Sequence, residues 1–382
     1  MHIVFINYDD FGGCSGIHIH PLANEFCSMG HRVTVLIPNG AGSCGGFTDY
    51  PQYNIRDYND SRRLLHEKDI LFVSWTPREL VRRKTLSLTK EYQAPFFVHL
   101  EDNEERIVSD FLGLPFSELQ KMNVKDLDNQ IPLIFSDPKR YKEFLAQARG
   151  VTCIIETLEE FVPKSVPAMT FWPSCEEEIF KLSYDSNIEM KKKLGIPYTS
   201  HVVFYPGNMH VSNVDDISAL YKAVELVNKE GKNLFLLRTG INYVKFNYGI
   251  DSVLPYFIDL GDQPAKKNLE YLSISDILIQ PSFENTFNKY RFPSKLPMFL
   301  ASGRPVITSN TNIGKNLTDW ENCIKFVYGD YEELAHKLML LIESKDLSRK
   351  IGQKGRSFAK NNFSWKKSSE RIIQFIKKLT GF

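Results

Sequence analysis

Between an apolar run and a Gly-Arg-Pro turn, the stretch PSFENTFNKYRFPSKLPMFLASGRPVI (281–307) places Glu284, Lys289, Arg291 and Lys295 within twelve positions. Pro293 reads as the first residue of a helix. Arg291 and Lys295 would then flank that N-terminus and add two full charges to its partial positive end. Such an arrangement suits a diphosphate. Glu284 would be repelled by phosphate and reads instead as an acceptor for neutral hydroxyls. A diphosphate half beside a polyol half describes a nucleotide-sugar. A solvated charged face is the plainer alternative, and the mixed charges at one strand end favour a site.

Further candidates sit at other strand ends. After the first strand, YDDFGGCSGIHIH carries Gly12, Gly13 and Gly16 before a helix. These glycines fit either a tight structural turn or a loop that lets backbone N–H groups approach an anion. His99 interrupts the apolar FFVHL, with Glu101 just beyond; it reads as a ligand contact, with a purely structural histidine as the alternative. Asp102, Asn103 and Glu104 look like a first helical turn, where acids are favoured. Further along, YPGNMHVSN brings Gly207 and Asn208 to a strand–helix junction, with Asn213 as the helix cap. LLRTG ends another strand in Arg238, expected to be exposed toward the same edge.

The elements that must position these residues alternate regularly. Strands are expected at 2–8, 32–38, 69–75, 95–100, 132–136 and 151–156, with amphipathic helices between, such as 17–29 and 138–148. A second series follows at 201–207, 233–240, 257–261, 276–282, 305–309 and 323–329, with a helix at about 213–230. Nearly continuous apolar strands alternating with helices imply parallel sheets covered on both faces. The expected class is α/β with two Rossmann-like domains: 1–167, then 174–360, with 361–382 a terminal helix packing back toward the first. In such folds ligands collect at the carboxyl ends of the strands.

Composition narrows the alternatives. The 382 residues exceed what one hydrophobic core usually organises. A net charge of +1 argues against nucleic acid as a partner. No run approaches a membrane span, and MHIVFINYDD lacks the layout of a signal peptide. A cytoplasmic setting is expected, with peripheral attachment to a membrane left open. The six cysteines show no metal spacing; Cys14 and Cys44 could meet but read as free thiols. Asp126 to Asp128, the one DxD match, falls in a polar helical region, so no metal is expected.

Together these segments resemble a retaining glycosyltransferase of the GT-B fold, similar to family four. The carriers are GGCSGIHIHPLANEFCSMGHRVTVLIP, FWPSCEEEIF, YLSISDILIQPSFE, FPSKLPMFLASGRPVITS and FAKNNFSWKKSSERI. The resemblance implies transfer of a sugar from a nucleoside diphosphate to a glycan, lipid-linked glycan or other hydroxyl acceptor, with retained configuration, in bacterial envelope or polysaccharide assembly. It implies that Gly13 approaches the diphosphate and that His99 and Glu284 are catalytic contacts to the donor sugar. Arg291 and Lys295 would neutralise the leaving diphosphate without a metal or other cofactor. Gly12, Gly207, Asn208, Arg238 and Met298 would lie in the donor neighbourhood. Three departures stand out. Met298 occupies the position of the second acid of the family's spaced pair; counted from Glu284 that position is Phe292. Asn208 and Asn213 replace a frequent Arg and Lys. The loop before the helix is longer. An inactive nucleotide- or partner-binding scaffold and a nucleotide-sugar epimerase are the rival readings. The absence of an acid after the second strand argues against a nicotinamide oxidoreductase.

Overall fold

The computed structural model describes residues 1–382 except 14, 39–50, 65–68, 183–187, 211–212, 245–254, 265–266, 282–287 and 328. Glu284, Cys14 and Cys44 therefore lie outside the described residues. The chain forms two compact units: Met1–Pro173 with Tyr290–Phe292 and Trp365–Phe382, and Ser174–Lys289 with Pro293–Ser364.

The first unit is built on a seven-stranded parallel sheet. Its strands are β1 His2–Ile6, β2 Arg32–Ile37, β3 Asn54–Asp57, β4 Ile70–Trp75, β5 Phe96–Leu100, β6 Gly150–Cys153 and β7 Ala168–Thr170, in the order β3-β2-β1-β4-β5-β6-β7. HIVFI, ILFVSW and FFVHL are buried at every position, as strands covered on both faces must be. The helices Gly16–Ser28 and Trp365–Thr380 pack on each other, and the latter buries Ile372, Ile373 and Ile376 with Phe5, Phe26 and Trp75. Burial of those three isoleucines contributes on the order of 5 kcal/mol before chain entropy is counted. Gly150 lets this helix approach: a Cβ there would lie 2.8 Å from the Phe375 ring.

Two features of this unit depart from expectation. Residues 132–136 are not a strand. Leu133 and Ile134 are exposed, and the carbonyls of Leu133 and Phe135 accept hydrogen bonds from Leu80 and Glu79. They satisfy two of the four N–H groups that the start of the helix Glu79–Tyr92 leaves open. The apolar run is thus a backbone cap for a helix distant in sequence. The polar β3, NIRD, was not anticipated; it sits at the sheet edge, half-exposed, and shows no apolar alternation.

The second unit carries a six-stranded parallel sheet: β8 His201–Pro206, β9 Leu234–Thr239, β10 Phe257–Asp259, β11 Ile277–Gln280, β12 Val306–Thr308 and β13 Ile324–Lys325, in the order β10-β9-β8-β11-β12-β13. The helices Val214–Lys229 and Tyr331–Glu343 close one face over Val203, Leu236 and Ile307. The expected helix at 293 begins instead at Leu296, whose N–H is held by the Pro293 carbonyl in a turn, and ends at Ala301. Lys295 takes its N-cap position, and the proline inside its first turn is Pro297.

Candidate active site

The carboxyl edge of the first sheet gathers a dense polar group. Glu101, just past β5, accepts hydrogen bonds from Ser15 Oγ at 2.5 Å and His18 Nδ1 at 2.9 Å. Both donors come from the start of the helix Gly16–Ser28 and its preceding residue. Burial alone would raise the Glu101 carboxyl; the His18 hydrogen bond and charge, with His99 and Ser15, outweigh it and hold the group at about 2. Glu101 is therefore ionised. A carboxylate only accepts, so His18 Nδ1 carries the proton of this hydrogen bond.

His99 is fully buried in β5. Its ring lies 4.0 Å from the Trp75 ring and 5.1 Å from that of Phe171, and Nδ1 is 2.9 Å from Thr152 Oγ1. Burial drives its pKa down to about 3, so the imidazole is neutral at physiological pH. Beyond it, Arg78 stacks over the Tyr8 ring at 3.9 Å and pairs with Glu104 at 3.3 Å, while Ser136 Oγ donates to Glu104 at 2.8 Å. Asp102 is pushed up to about 6, first by desolvation, opposed by Arg291 and reinforced by Glu101 and Glu104. Sequence reasoning missed Ser15, His18 and Arg78. Ser15 and His18 stand 86 and 83 residues from their partner, and only the fold joins them.

The glycine loop closes on its own acids. The Gly12 N–H donates to Asp10 Oδ1 at 3.2 Å, and a Cβ on Gly13 would meet Asp9 Oδ2 at 2.8 Å. Both glycines lead into the helix that carries His18. Arg291 belongs to this unit as well; its Nε lies 3.6 Å from Asp102, and the neighbouring Tyr290 donates to Glu160 at 2.8 Å.

The remaining candidates lie in the second unit. Arg238 is not exposed: it is 1% accessible, with Nη1 2.5 Å from Asp259 Oδ2 and Nη2 donating to the Gly207 carbonyl. The cause is register, since Asp259 of β10 is its direct partner in the parallel ladder. Gly207 and Gly240 touch, and a Cβ on Gly240 would fall 2.6 Å from the Gly207 carbonyl. Asn208 Oδ1 accepts from the Ile241 N–H at 2.8 Å. Asn213 holds the N-cap position, but its side chain bridges the Asn208 carbonyl and the His210 N–H. Lys295 is exposed and Met298 half-buried on the short helix Leu296–Ala301 and its cap. The structure thus brings Gly12, Gly13, His99 and Arg291 into one unit, and Gly207, Asn208, Arg238, Lys295 and Met298 into the other. Among the described residues no cluster of His, Cys, Asp and Glu could hold a metal, and no helix is long and apolar enough to cross a membrane.

Comparison with known proteins follows from this geometry. Residues 200–344 match the family described as Glycosyl transferases group 1. No curated protein matches the sequence. Solved structures with the same fold include HepE from Anabaena, crystallised with UDP and glucose, at 12% identity and a TM-score of 0.71 over 98% of this chain and 99% of that one. A glycosyltransferase from Rickettsia africae is 14% identical, with a TM-score of 0.70 over 99% and 98%. Sucrose-phosphate synthase from Thermosynechococcus elongatus is 13% identical, with a TM-score of 0.69 over 100% and 99%. Two parallel-sheet Rossmann-like domains of the glycosyltransferase GT-B class make up the fold, and the second carries the group 1 match.

Proposed function

We infer that the protein is a glycosyltransferase that moves a sugar from a nucleoside-diphosphate donor to a hydroxyl of a glycan or lipid-linked glycan. The observation that carries this is the group 1 match across residues 200–344, on a chain whose whole length follows the fold of HepE, a protein crystallised with UDP and glucose. In this reading Glu284 and His99 contact the donor sugar. Gly13, Arg291 and Lys295 serve the diphosphate, with Gly12, Gly207, Asn208, Arg238 and Met298 around the donor. The neutral, buried His99 supports the sugar assignment, because an uncharged imidazole can exchange hydrogen bonds with hydroxyls without attracting phosphate.

In this reading Arg291 and Lys295 supply fixed positive charge to the departing diphosphate, and electrostatic stabilisation of this kind is usually the largest single contribution to catalysis. The reaction proceeds in this reading without a metal and with retention at the anomeric carbon, the acceptor attacking on the face the diphosphate leaves, with the β-phosphate as base. Envelope or polysaccharide glycan assembly, with the enzyme cytoplasmic or held peripherally at a membrane, is the corresponding role.

The test is a thermal-shift series with UDP, GDP, ADP and their glucose conjugates. A ligand that binds only the folded state raises the melting temperature. At least one nucleotide should do so, and its sugar conjugate should be turned over; a flat series across all of them rejects the reading. A second reading, a nucleotide-binding scaffold without turnover, is favoured by Met298 and by Asn208 and Asn213, whose side chains are engaged with backbone. A melting shift without turnover on any glycoside acceptor would select it.

A further inference from the structure

Charge is divided unevenly along this chain. Residues 345–380 carry eleven Lys and Arg against two acids, in a chain whose net charge is only +1. An asymmetry of that size points to an anionic partner at the basic end. The helix Trp365–Thr380 of the first unit holds the denser part. Ser368, Ser369, Ile372, Ile373 and Ile376 form its buried stripe. Its exposed positions are Lys366, Lys367, Glu370, Arg371, Gln374, Lys377 and Lys378: five cations, one acid and one amide. At about 100° of turn per residue, all seven fall on a single arc of about 140°.

A helix face that merely meets solvent usually mixes both signs. Elsewhere the first unit does so: Arg82 and Arg83 pair with Glu79, Arg106 with Asp110, Arg140 with Asp128 and Lys142 with Glu105. Lys366, Arg371, Lys377 and Lys378 take no part in an ion pair among the described residues; Arg371 donates instead to the Thr170 carbonyl at 3.1 Å. The helix dipole favours Lys377 and Lys378 in the last turn but opposes Lys366 and Lys367 in the first, where no acid stands. Cations at both ends are therefore kept against the helix's own preference. Arg149 extends the face. It is exposed and precedes Gly150, where a Cβ would lie 2.8 Å from Phe375 and 2.9 Å from Leu379.

We propose that the outward face of the helix Trp365–Thr380 docks on an anionic phospholipid surface through Lys366, Lys367, Arg371, Lys377 and Lys378. From Lys366 to Lys378 the charges span about 18 Å, too far for one small anion and well matched to a plane of headgroups. Four of the five are lysines, point charges on flexible stems, whereas bidentate phosphate and nucleic-acid recognition favours arginine. The seven exposed positions include no aromatic ring on which a base could stack, and an outward helix face is a ridge rather than a groove. Because the apolar stripe is committed to the core, the attachment is electrostatic and reversible. The assignment deepens the membrane-attachment part of the glycosyl-transfer reading, and rests on that reading for the lipid-linked acceptor it would bring within reach.

The test is co-sedimentation of the full chain with vesicles of phosphatidylcholine alone and of an equal mixture with phosphatidylglycerol. The wild type should bind the mixed vesicles, be released at high salt and ignore phosphatidylcholine. Lys366→Gln, Lys367→Gln, Lys377→Gln and Lys378→Gln combined should weaken that binding at least about ten-fold. Glu370→Gln, which removes the one acid of the face, should strengthen it, and keeps the test open if the four-fold variant fails to fold. Lys345→Gln, Lys350→Gln, Lys354→Gln and Lys360→Gln combined take the same charge from the helix Lys345–Asn362 of the second unit, where Lys354 already pairs with Glu321, and should have the smaller effect. No binding to mixed vesicles, equal binding to phosphatidylcholine, or equal loss in the two four-fold variants would overturn the proposal. So would unchanged binding in both the first four-fold variant and Glu370→Gln, or tighter binding to duplex DNA at the same salt. The nucleotide thermal-shift series separates the two levels: a nucleotide shift without vesicle binding defeats this inference alone, whereas vesicle binding with no nucleotide shift defeats the glycosyl-transfer reading.

Discussion

His18 Nδ1 and Glu101 Oε1 lie 2.9 Å apart, joining the first turn of the first helix to the end of the fifth strand. Because the folded-state pKa of Glu101 sits near 2, below its ordinary 4.5, the stability it contributes is present above about pH 4.5 and is lost as pH falls toward 2. Glu101→Gln should cost about 2 kcal/mol at neutral pH, since a charged acceptor of two hydrogen bonds becomes a neutral one. Chemical denaturation from pH 2.5 to 7 checks both statements: the variant should lose the acid-limb slope along with the stability. An unchanged slope would show that Glu101 is not the titrating group.

Asp216 in the second unit works in the opposite direction. It is 5% exposed, its Oδ1 has no partner, and burial followed by neighbouring Asp215 pushes it up to about 7. An acid with a raised folded-state pKa binds more protons folded than unfolded, so stability declines as pH rises from about 4 to about 7. Asp216→Asn should remove that decline and raise stability at pH 8 by about 1–3 kcal/mol. Equal melting temperatures for variant and wild type at pH 8 would contradict the assignment.

Gly240 is the most constrained glycine of the second unit's site edge. Its φ of +118° is one that other residues resist, and any Cβ would sit 2.6 Å from the Gly207 backbone. Gly240→Ala should therefore destabilise the fold by more than about 2 kcal/mol. Gly13→Ala should cost less, because its nearest obstacle is the end of the Asp9 side chain, which can turn aside. Denaturant midpoints for the pair give the ranking directly.

Arg291→Ala combined with Lys295→Ala should abolish the nucleotide-dependent melting shift. Arg291 is half-exposed and lies beside an Asp102 whose pKa is already raised, so its loss costs the apo fold little while removing the charge proposed for the diphosphate. The readout is nucleotide affinity by calorimetry. Unchanged affinity would move the diphosphate site elsewhere.

Much of the fold was legible in residue order because strands covered on both faces must be written as continuous apolar runs, as ILFVSW and FFVHL are. Where the physics differs the pattern fails. β3 is a polar edge strand, and 132–136 is an apolar run whose backbone carbonyls cap a helix instead of pairing in the sheet. The site was legible in part for a related reason. His99 is visible as a polar residue inside an apolar strand, whereas Ser15, His18 and Glu101 become a group only by folding. Arg238 looked like a surface charge because a sequence does not display the strand register that sets Asp259 beside it.

The placement of Ile372, Ile373 and Ile376 in the core of the first unit sets an order of events during synthesis. Residues up to 173 leave the ribosome early, yet the segment that covers their sheet begins at Trp365. At the usual pace of translation that gap lasts on the order of 10–40 seconds. Through that interval the nascent first unit presents an uncovered apolar face, so a chaperone that shields such faces should dwell on this chain until the final helix emerges.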